Sequence, residues 1–89
     1  MHATALAAHG NALRALRRHG DAVKEYEAAL RLLEAQHGAD HPAVATVLVN
    51  LAGAKLGLGL REEAQRLVKR AEAIRGSHEG VRVPARSDD

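Results

Sequence analysis

Apolar residues recur along this chain at spacings of three and four, in four blocks that glycine and proline separate. This period places the apolar side chains on one face of an α-helix. In the first two blocks the face consists of Leu6, Leu13, Leu16, Ala22, Tyr26, Ala29, Leu30 and Leu33. The pattern predicts an all-α protein with helices over about 3–18, 21–36, 43–58 and 60–75.

The third block differs from the others because it is apolar on nearly every side. Its large and small apolar residues include Val44, Val47, Leu48, Val49, Leu51, Ala52, Leu56 and Leu58. A helix of this kind needs several neighbours to cover it. The fourth block returns to one stripe, made of Ala64, Leu67, Val68, Ala71 and Ile74, with charged residues opposite.

Glycine and proline mark the predicted breaks. Gly20 is expected to end the first helix, and Gly57 and Gly59 interrupt the third. Pro42 fits the first turn of a helix, where its missing N–H is not needed, and Asp40 or His41 is expected at the cap. Residues 76–89 have no apolar period, so we predict a helical domain over 1–75 and a flexible tail over 76–89.

The chain also repeats itself at a fixed offset of 42 positions. The matched pairs are Ala3 with Ala45, Thr4 with Thr46, Leu6 with Leu48, Ala12 with Ala54, Leu16 with Leu58, Ala22 with Ala64, Ala29 with Ala71, Gly38 with Gly80 and Pro42 with Pro84. A fixed period of about 20 to 50 residues indicates stacked supersecondary units, none of which can bury its apolar face alone. Such architectures usually bind other molecules.

These residues resemble the tetratricopeptide repeat family. The residues that carry the resemblance are Gly10, Ala22, Tyr26 and Ala29 in the first unit, and Ala52, Gly59, Ala64, Val68 and Ala71 in the second. The spacing of 42, with Gly38 to Pro42 between the units, is similar to the kinesin-light-chain variant, since the ordinary repeat has about 34 residues. Arg17 departs from the pattern where glycine is usual, and Lys55 where an aromatic residue is common.

The resemblance implies two helix-turn-helix repeats, over 3–37 and 43–75, in a short right-handed superhelical stack. It further implies a concave groove, lined by the first and third helices, that holds a peptide or a helix of a partner protein. Asn50 matches an asparagine that grips the ligand backbone in such grooves, and an amide offers both a donor and an acceptor. The other expected groove residues are Thr4, Asn11, Arg14, Thr46, Val49, Gly53 and Leu56. Alternatively, Asn11 and Asn50 are simply solvated and Arg14 belongs to a basic helix end.

Composition narrows the function further. Eighty-nine residues make at most one domain, and without cysteine there is neither a disulfide framework nor a thiolate metal site. The lack of cysteine weakly favours the cytoplasm. A net charge of +2, a single aromatic residue and the lone basic cluster of Arg14, Arg17 and Arg18 argue against nucleic acid. No run of 18 apolar residues and no signal-peptide pattern is present, so we expect no membrane partner.

Candidate chemistry is sparse. His37 and His41 have a spacing that suits a metal on a continuous helix, but Gly38 and Pro42 break that helix. The segment Gly57-Leu58-Gly59 follows no strand and lacks the lysine of a phosphate-binding loop. Ser77 and Ser87 have no base nearby in sequence. We therefore expect no enzyme activity, metal or cofactor.

A second functional hypothesis is self-assembly. Stacked repeats generally need three or more units, and only two are present here. Burying one valine or leucine is worth about 1.5–3 kcal/mol, so exposure of Val47, Val49, Leu56 and Leu58 would cost a small domain much of its stability. Self-association or domain swapping of the third helix through Val47 and Leu58 would cover them. On this hypothesis the chain forms a homo-oligomer.

Overall fold

Residues 2–79 are described by a computed structural model, and within that range the chain forms four α-helices and no strand. The helices are α1 (Ala3–Ala15), α2 (His19–His37), α3 (Pro42–Gly57) and α4 (Arg61–Glu79). Each helix packs on the next along the chain, whereas α1 and α3 touch only slightly. The prediction of an all-α protein built from two helical hairpins is confirmed.

The first helix ends earlier than predicted, because the chain leaves it through a left-handed residue. Arg17 has a φ of 64°. Its amide donates to the Arg14 carbonyl at 2.9 Å, and the next amide, of Arg18, donates to the Leu13 carbonyl at 2.8 Å. These two bonds form a Schellman motif, which satisfies carbonyls that the helix end would leave unpaired. Gly20, expected to end the first helix, lies instead in the first turn of α2.

The third helix ends with the same motif. Gly59 has a φ of 80°, and its amide donates to the Leu56 carbonyl at 2.9 Å. The Leu60 amide donates to the Lys55 carbonyl, also at 2.9 Å. The helix therefore continues through Gly57, which does not interrupt it, and the turns of both hairpins have one geometry. Arg17 and Gly59 occupy equivalent positions of the two repeats, as the offset predicts.

The fourth helix extends beyond its predicted end at residue 75. Residues 76–79, expected to belong to the tail, are helical, and the rest of the predicted tail, 80–89, lies outside the described residues. Glycine in a helix costs only about 1 kcal/mol relative to alanine, and it ends a helix when it adopts the left-handed conformation. Gly38 and Gly59 have positive φ, whereas Gly76 does not.

The start of α3 confirms the predicted cap. His41 precedes the helix in an extended conformation, and its Nδ1 accepts a hydrogen bond of 3.0 Å from the Ala43 amide. Pro42 occupies the first turn. The His41 ring also stacks on that of His37, with centroids 4.4 Å apart. The junction between the two hairpins is therefore held by side chains as well as by helix packing.

The core lies where the consecutive helices meet. Tyr26, Leu48 and Val44 are its largest fully buried side chains. Gly10 of α1 lets the Tyr26 ring approach closely, since a Cβ at residue 10 would stand 2.8 Å from the ring atom Cε1. The close contact of α1 with α2 therefore depends on a residue without a side chain.

The third helix packs on both α2 and α4, and the expected exposure of Val47 is wrong. Val47 is only 4% exposed, because it packs in the core against the neighbouring helices. Val49, Leu56 and Leu58 remain exposed, at 37%, 55% and 47%. The monomer thus already covers most of α3, and the energetic reason for self-association is smaller than the sequence suggested.

Candidate functional site

A cleft of about 260 Å³ lies between the N-terminal halves of α1 and α3. Its lining is uncharged and consists of small or aliphatic side chains and two threonines. The lining residues are Ala3, Thr4, Ala7, Leu33, Ala43, Thr46 and Val47. Thr4 and Thr46 are one of the matched pairs of the internal repeat, so the two repeats contribute equivalent hydroxyl groups to this cleft.

The two threonines are both exposed. The Thr46 hydroxyl donates to the Pro42 carbonyl one turn earlier, at a long distance of 3.4 Å. A bond of that length is weak, and exchanging it for a bond to a ligand costs little. The hydroxyl groups can therefore serve as donors or acceptors toward a bound chain.

Further along the same helices, Arg14 connects the two repeats. Its Nη1 donates a hydrogen bond of 3.1 Å to the backbone carbonyl of Asn50. The guanidinium lies against Gly53, where a Cβ atom would be 2.5 Å from Nη1. The structure thus brings together three of the predicted groove residues, Arg14, Asn50 and Gly53. Arg14 is held by α3, so it is a structural bridge as well as a positive charge at this surface.

The Asn50 side chain is half-buried and lies one helical turn beyond Thr46. Within residues 2–79 its amide makes no hydrogen bond, since only its backbone carbonyl is used, by Arg14. An amide in this state can donate to and accept from the backbone of a bound segment. The predicted role of Asn50 stays a prediction, and the geometry leaves the required atoms available.

Asn11 has a partner that the sequence did not indicate. Its Oδ1 accepts a hydrogen bond from the hydroxyl group of Tyr26. Burial raises the pKa of Tyr26, and the positive charge of Arg14 opposes part of that rise. The buried phenol therefore stays protonated and donates to Asn11 at neutral pH. Asn11 is exposed but its oxygen is engaged, which leaves its amino group for a ligand.

The remaining predicted groove residues are dispersed. Val49 is on α3 and is exposed. Leu56 lines a different cavity, on the side of α3 that faces α4, and so does not share the cleft with Thr4 and Thr46. Leu58 is the C-cap residue of α3, in the turn before α4. Of the predicted groove residues, Thr4 and Thr46 therefore line this cleft, and Val49 and Leu56 do not.

Charge is distributed unevenly between the two layers of helices. Neither α1 nor α3 contains an aspartate or a glutamate, while α2 and α4 carry the acidic side chains of the four helices. The cleft side consequently has Arg14 and no opposing carboxylate on its own helices.

Among residues 2–79, no three histidine, aspartate or glutamate side chains are grouped to hold a metal, and no helix is long and apolar enough to cross a membrane.

A further contact between the repeats was not predicted from the sequence. The His19 ring at the start of α2 lies against Gly57 of α3, where a Cβ atom would be 2.5 Å from its Cε1 and Nδ1 atoms. Nδ1 is buried without a hydrogen-bond partner in the described part of the chain. Gly53 and Gly57 are four residues apart, and two glycines on one helix face could have indicated close approach by a neighbour.

A family model described as tetratricopeptide repeat matches residues 1–77. Neither the curated proteins nor the solved structures contain a match to this chain.

Proposed function

Because this chain belongs to the tetratricopeptide repeat family, we propose that it binds a segment of a partner protein in the cleft between α1 and α3. Repeats of this family are generally protein–protein interaction modules, and stacked helices present surfaces suited to extended ligands. The observation that carries the proposal is the Asn50 amide, which has no hydrogen bond within residues 2–79 and lies one turn from the cleft.

The chemistry of the cleft indicates the kind of segment that fits. Small or aliphatic side chains form its walls, Thr4 and Thr46 offer hydroxyl groups, and Arg14 supplies a positive charge two turns further along α1. Of the helices that line the cleft, α1 and α3 carry no carboxylate. We infer an extended peptide or helix with a small apolar residue for the cleft and neutral or acidic neighbours, because a basic segment would meet Arg14 without compensation.

The spacing of the repeats supports a finer assignment within the family. The offset of 42 positions and the Gly38 to Pro42 junction favour the kinesin-light-chain-like variant. In the structure that junction separates α2 from α3 and contains the His41 cap of α3.

Binding can be tested with an array of synthetic dodecapeptides in acidic, neutral and basic series. For the best acidic peptide, Asn50→Ala is expected to weaken binding about fivefold to tenfold, as loss of one net hydrogen bond implies. Thr46→Arg should abolish binding by filling the cleft. Gln36→Ala, an exposed change on α2, is the matched control and should leave affinity unchanged. Equal affinity of wild type, Asn50→Ala and Thr46→Arg would reject the cleft as the site.

The alternative function, self-assembly, retains one supporting observation. Leu56 and Leu58 at the end of α3 are 55% and 47% exposed, although Val47 is only 4% exposed. Light scattering during size-exclusion chromatography tests this alternative. An oligomer that Leu58→Ser dissociates and Leu16→Ser does not would support it, since Leu16 is the exposed equivalent in the first repeat. A monodisperse monomer at micromolar concentration would reject it.

A further inference from the structure

A second surface, distinct from the cleft, lies on the outer side of the α3–α4 hairpin. It is a concavity of about 610 Å³. Its apolar lining residues are Leu56, Ala64 and Val68, and its polar lining residues are Arg61, Gln65, Lys69 and Glu72. We call Leu56, Arg61, Ala64, Val68 and Lys69 the outer face.

The internal repeat shows what this face can hold. Each outer-face residue lies 42 positions after a residue of the first repeat, namely Arg14, His19, Ala22, Tyr26 and Glu27. In the first repeat the equivalent face is covered by α3. Arg14 lies against Gly53, and the His19 ring lies against Gly57. The outer face therefore has the residue positions that, in this same chain, receive a helix.

Two substitutions between the repeats show how the outer face differs from its counterpart. Val23 and Leu30, which are buried in the core, correspond to Gln65 and Glu72, which are exposed. Polar side chains at these positions let the face stand in water when it is empty. A helix bound there can thus dissociate, unlike α3, which is a permanent part of the fold.

Charge distinguishes the two faces most clearly. Glu27 lines one cleft together with Lys55 of the covering helix, where α2, α3 and α4 meet. The equivalent of Glu27 on the outer face is Lys69, so the sign of the charge is reversed. Within residues 2–79 neither Lys69 nor Arg61 forms an ion pair, whereas Lys55 pairs with Glu63 at 2.8 Å. A helix on the outer face would therefore meet two basic side chains without ion-pair partners in the described residues and one carboxylate, that of Glu72.

We propose that the outer face binds an amphipathic helix of a partner protein, apolar at the positions that Val47 and Leu51 hold in α3 and acidic at the position of Lys55. The acidic residue would pair with Lys69, so the two charges would be exchanged relative to Glu27 and Lys55 in the first repeat. The negative end of the helix dipole would lie near Arg61, as the C-terminal end of α3 lies near His19.

A second copy of the chain suits this face less well. The helix of a second copy that corresponds to α3 is α1, whose residues lie 42 positions earlier. It would place Ala5 and His9 where Val47 and Leu51 stand in α3, and Leu13 where the acidic residue is required. These residues supply little apolar volume and no carboxylate. The face and the inferred helix are therefore complementary in a way that the face and α1 are not.

The test uses two labelled synthetic peptides with the sequence of residues 41–58, one unchanged and one carrying Lys55→Glu. Fluorescence anisotropy measures their affinity for the full chain. The Lys55→Glu peptide should bind wild type at least about threefold more tightly, because a repulsive surface pair becomes attractive. For the Lys69→Glu variant the unchanged peptide should bind more tightly, because its Lys55 would then face a glutamate, as Lys55 of α3 faces Glu27 in the first repeat.

Two matched variants separate this surface from other sites. Lys24→Glu makes the same charge change on an exposed part of α2, and Thr46→Arg fills the cleft between α1 and α3. Both variants should still bind the Lys55→Glu peptide more tightly than the unchanged peptide. Four outcomes would overturn the proposal. Neither peptide binds, both peptides bind with equal affinity, the same peptide binds more tightly to wild type and to Lys69→Glu, or Thr46→Arg abolishes binding. Concentration-dependent dimerisation abolished by Lys69→Glu would also overturn it, by assigning the face to a second copy.

Discussion

Arg17 and Gly59 hold the same left-handed backbone position at the ends of α1 and α3, with φ of 64° and 80°. The amides that close the two Schellman motifs bond to equivalent carbonyls. An L-residue with a side chain pays about 1–2 kcal/mol for this conformation, because its Cβ crowds the following carbonyl oxygen. Glycine has no such contact. One of two equivalent turns is therefore strained and the other is not.

Arg17→Gly is expected to stabilise the protein. Relief of the Cβ contact outweighs the added freedom of glycine in the unfolded chain, and the net gain should be about 0.5–1 kcal/mol. In thermal unfolding this corresponds to a rise of several degrees. The reciprocal change, Gly59→Arg, should lower stability by a similar amount. A loss of stability in Arg17→Gly would show that the side chain has a role that outweighs the strain.

Gly10→Ala should destabilise the fold by at least about 1 kcal/mol. The new methyl group would lie 2.8 Å from the ring of Tyr26, which is fully buried and cannot move aside. Overpacking of this kind typically costs about 1–3 kcal/mol, more than the helix propensity of alanine returns. Urea denaturation measures the change.

The matched control for Gly10→Ala is Gly20→Ala. Gly20 is helical and nothing lies within 4 Å of its Cβ position. This variant should gain about 0.5–1 kcal/mol from helix propensity and reduced unfolded-state entropy. Equal effects of the two substitutions would contradict the close packing of α1 on Tyr26.

The helices could be predicted because their apolar period is independent of tertiary detail, and the internal repeat placed both turns in equivalent positions. Their ends were predicted less well. Gly20 and Gly76 are helical, while Arg17 adopts the left-handed conformation usual for glycine. The φ of a residue in a turn depends on the surrounding hydrogen bonds, so residue type alone does not decide it.

One pair of cleft residues could be anticipated from the sequence, but the contacts around the cleft could not. The repeat placed Thr4 and Thr46 at equivalent points, and the structure has both in one cleft. The contact of Arg14 with Asn50 uses a backbone carbonyl, which every residue possesses, so no residue type indicates it. The guanidinium of Arg14 also lies against Gly53, so two of the expected groove residues contact each other.

Arg14 and Gly53 should be energetically coupled. Gly53→Ala places a methyl group 2.5 Å from the Arg14 Nη1 position, so the guanidinium must move and its bond to Asn50 is lost. That loss, about 1 kcal/mol, offsets the helix propensity gained by alanine. In an Arg14→Ala background nothing is displaced, and Gly53→Ala should stabilise by about 1 kcal/mol.

A double-mutant cycle of unfolding free energies measures this coupling, and the expected coupling energy is about 1 kcal/mol. Arg31→Ala combined with Gly53→Ala serves as the control, because Arg31 is exposed on α2 and does not contact Gly53. Additive effects of Arg14→Ala and Gly53→Ala would show that the bridge between the repeats is absent in solution.

The ion pair of Lys55 and Glu63 should make stability fall in acid. The hydrogen bond from Lys55, at 2.8 Å, lowers the pKa of Glu63 below its ordinary value of 4.5, and the charge of Lys55 adds to the effect. A lowered carboxyl pKa stabilises the folded state above the unfolded value, and the contribution disappears as the pH falls through the folded value. Glu63→Gln should therefore reduce the urea midpoint at pH 7 and lose that deficit by about pH 2–3.

Glu62→Gln, an adjacent exposed change, is the control and should give a smaller deficit in the urea midpoint at pH 7. Salt at about 0.5 M should shrink the Glu63→Gln deficit, since the pair is near the surface. A deficit that is equally large at pH 7 and pH 2.5 would assign it to side-chain packing instead of charge.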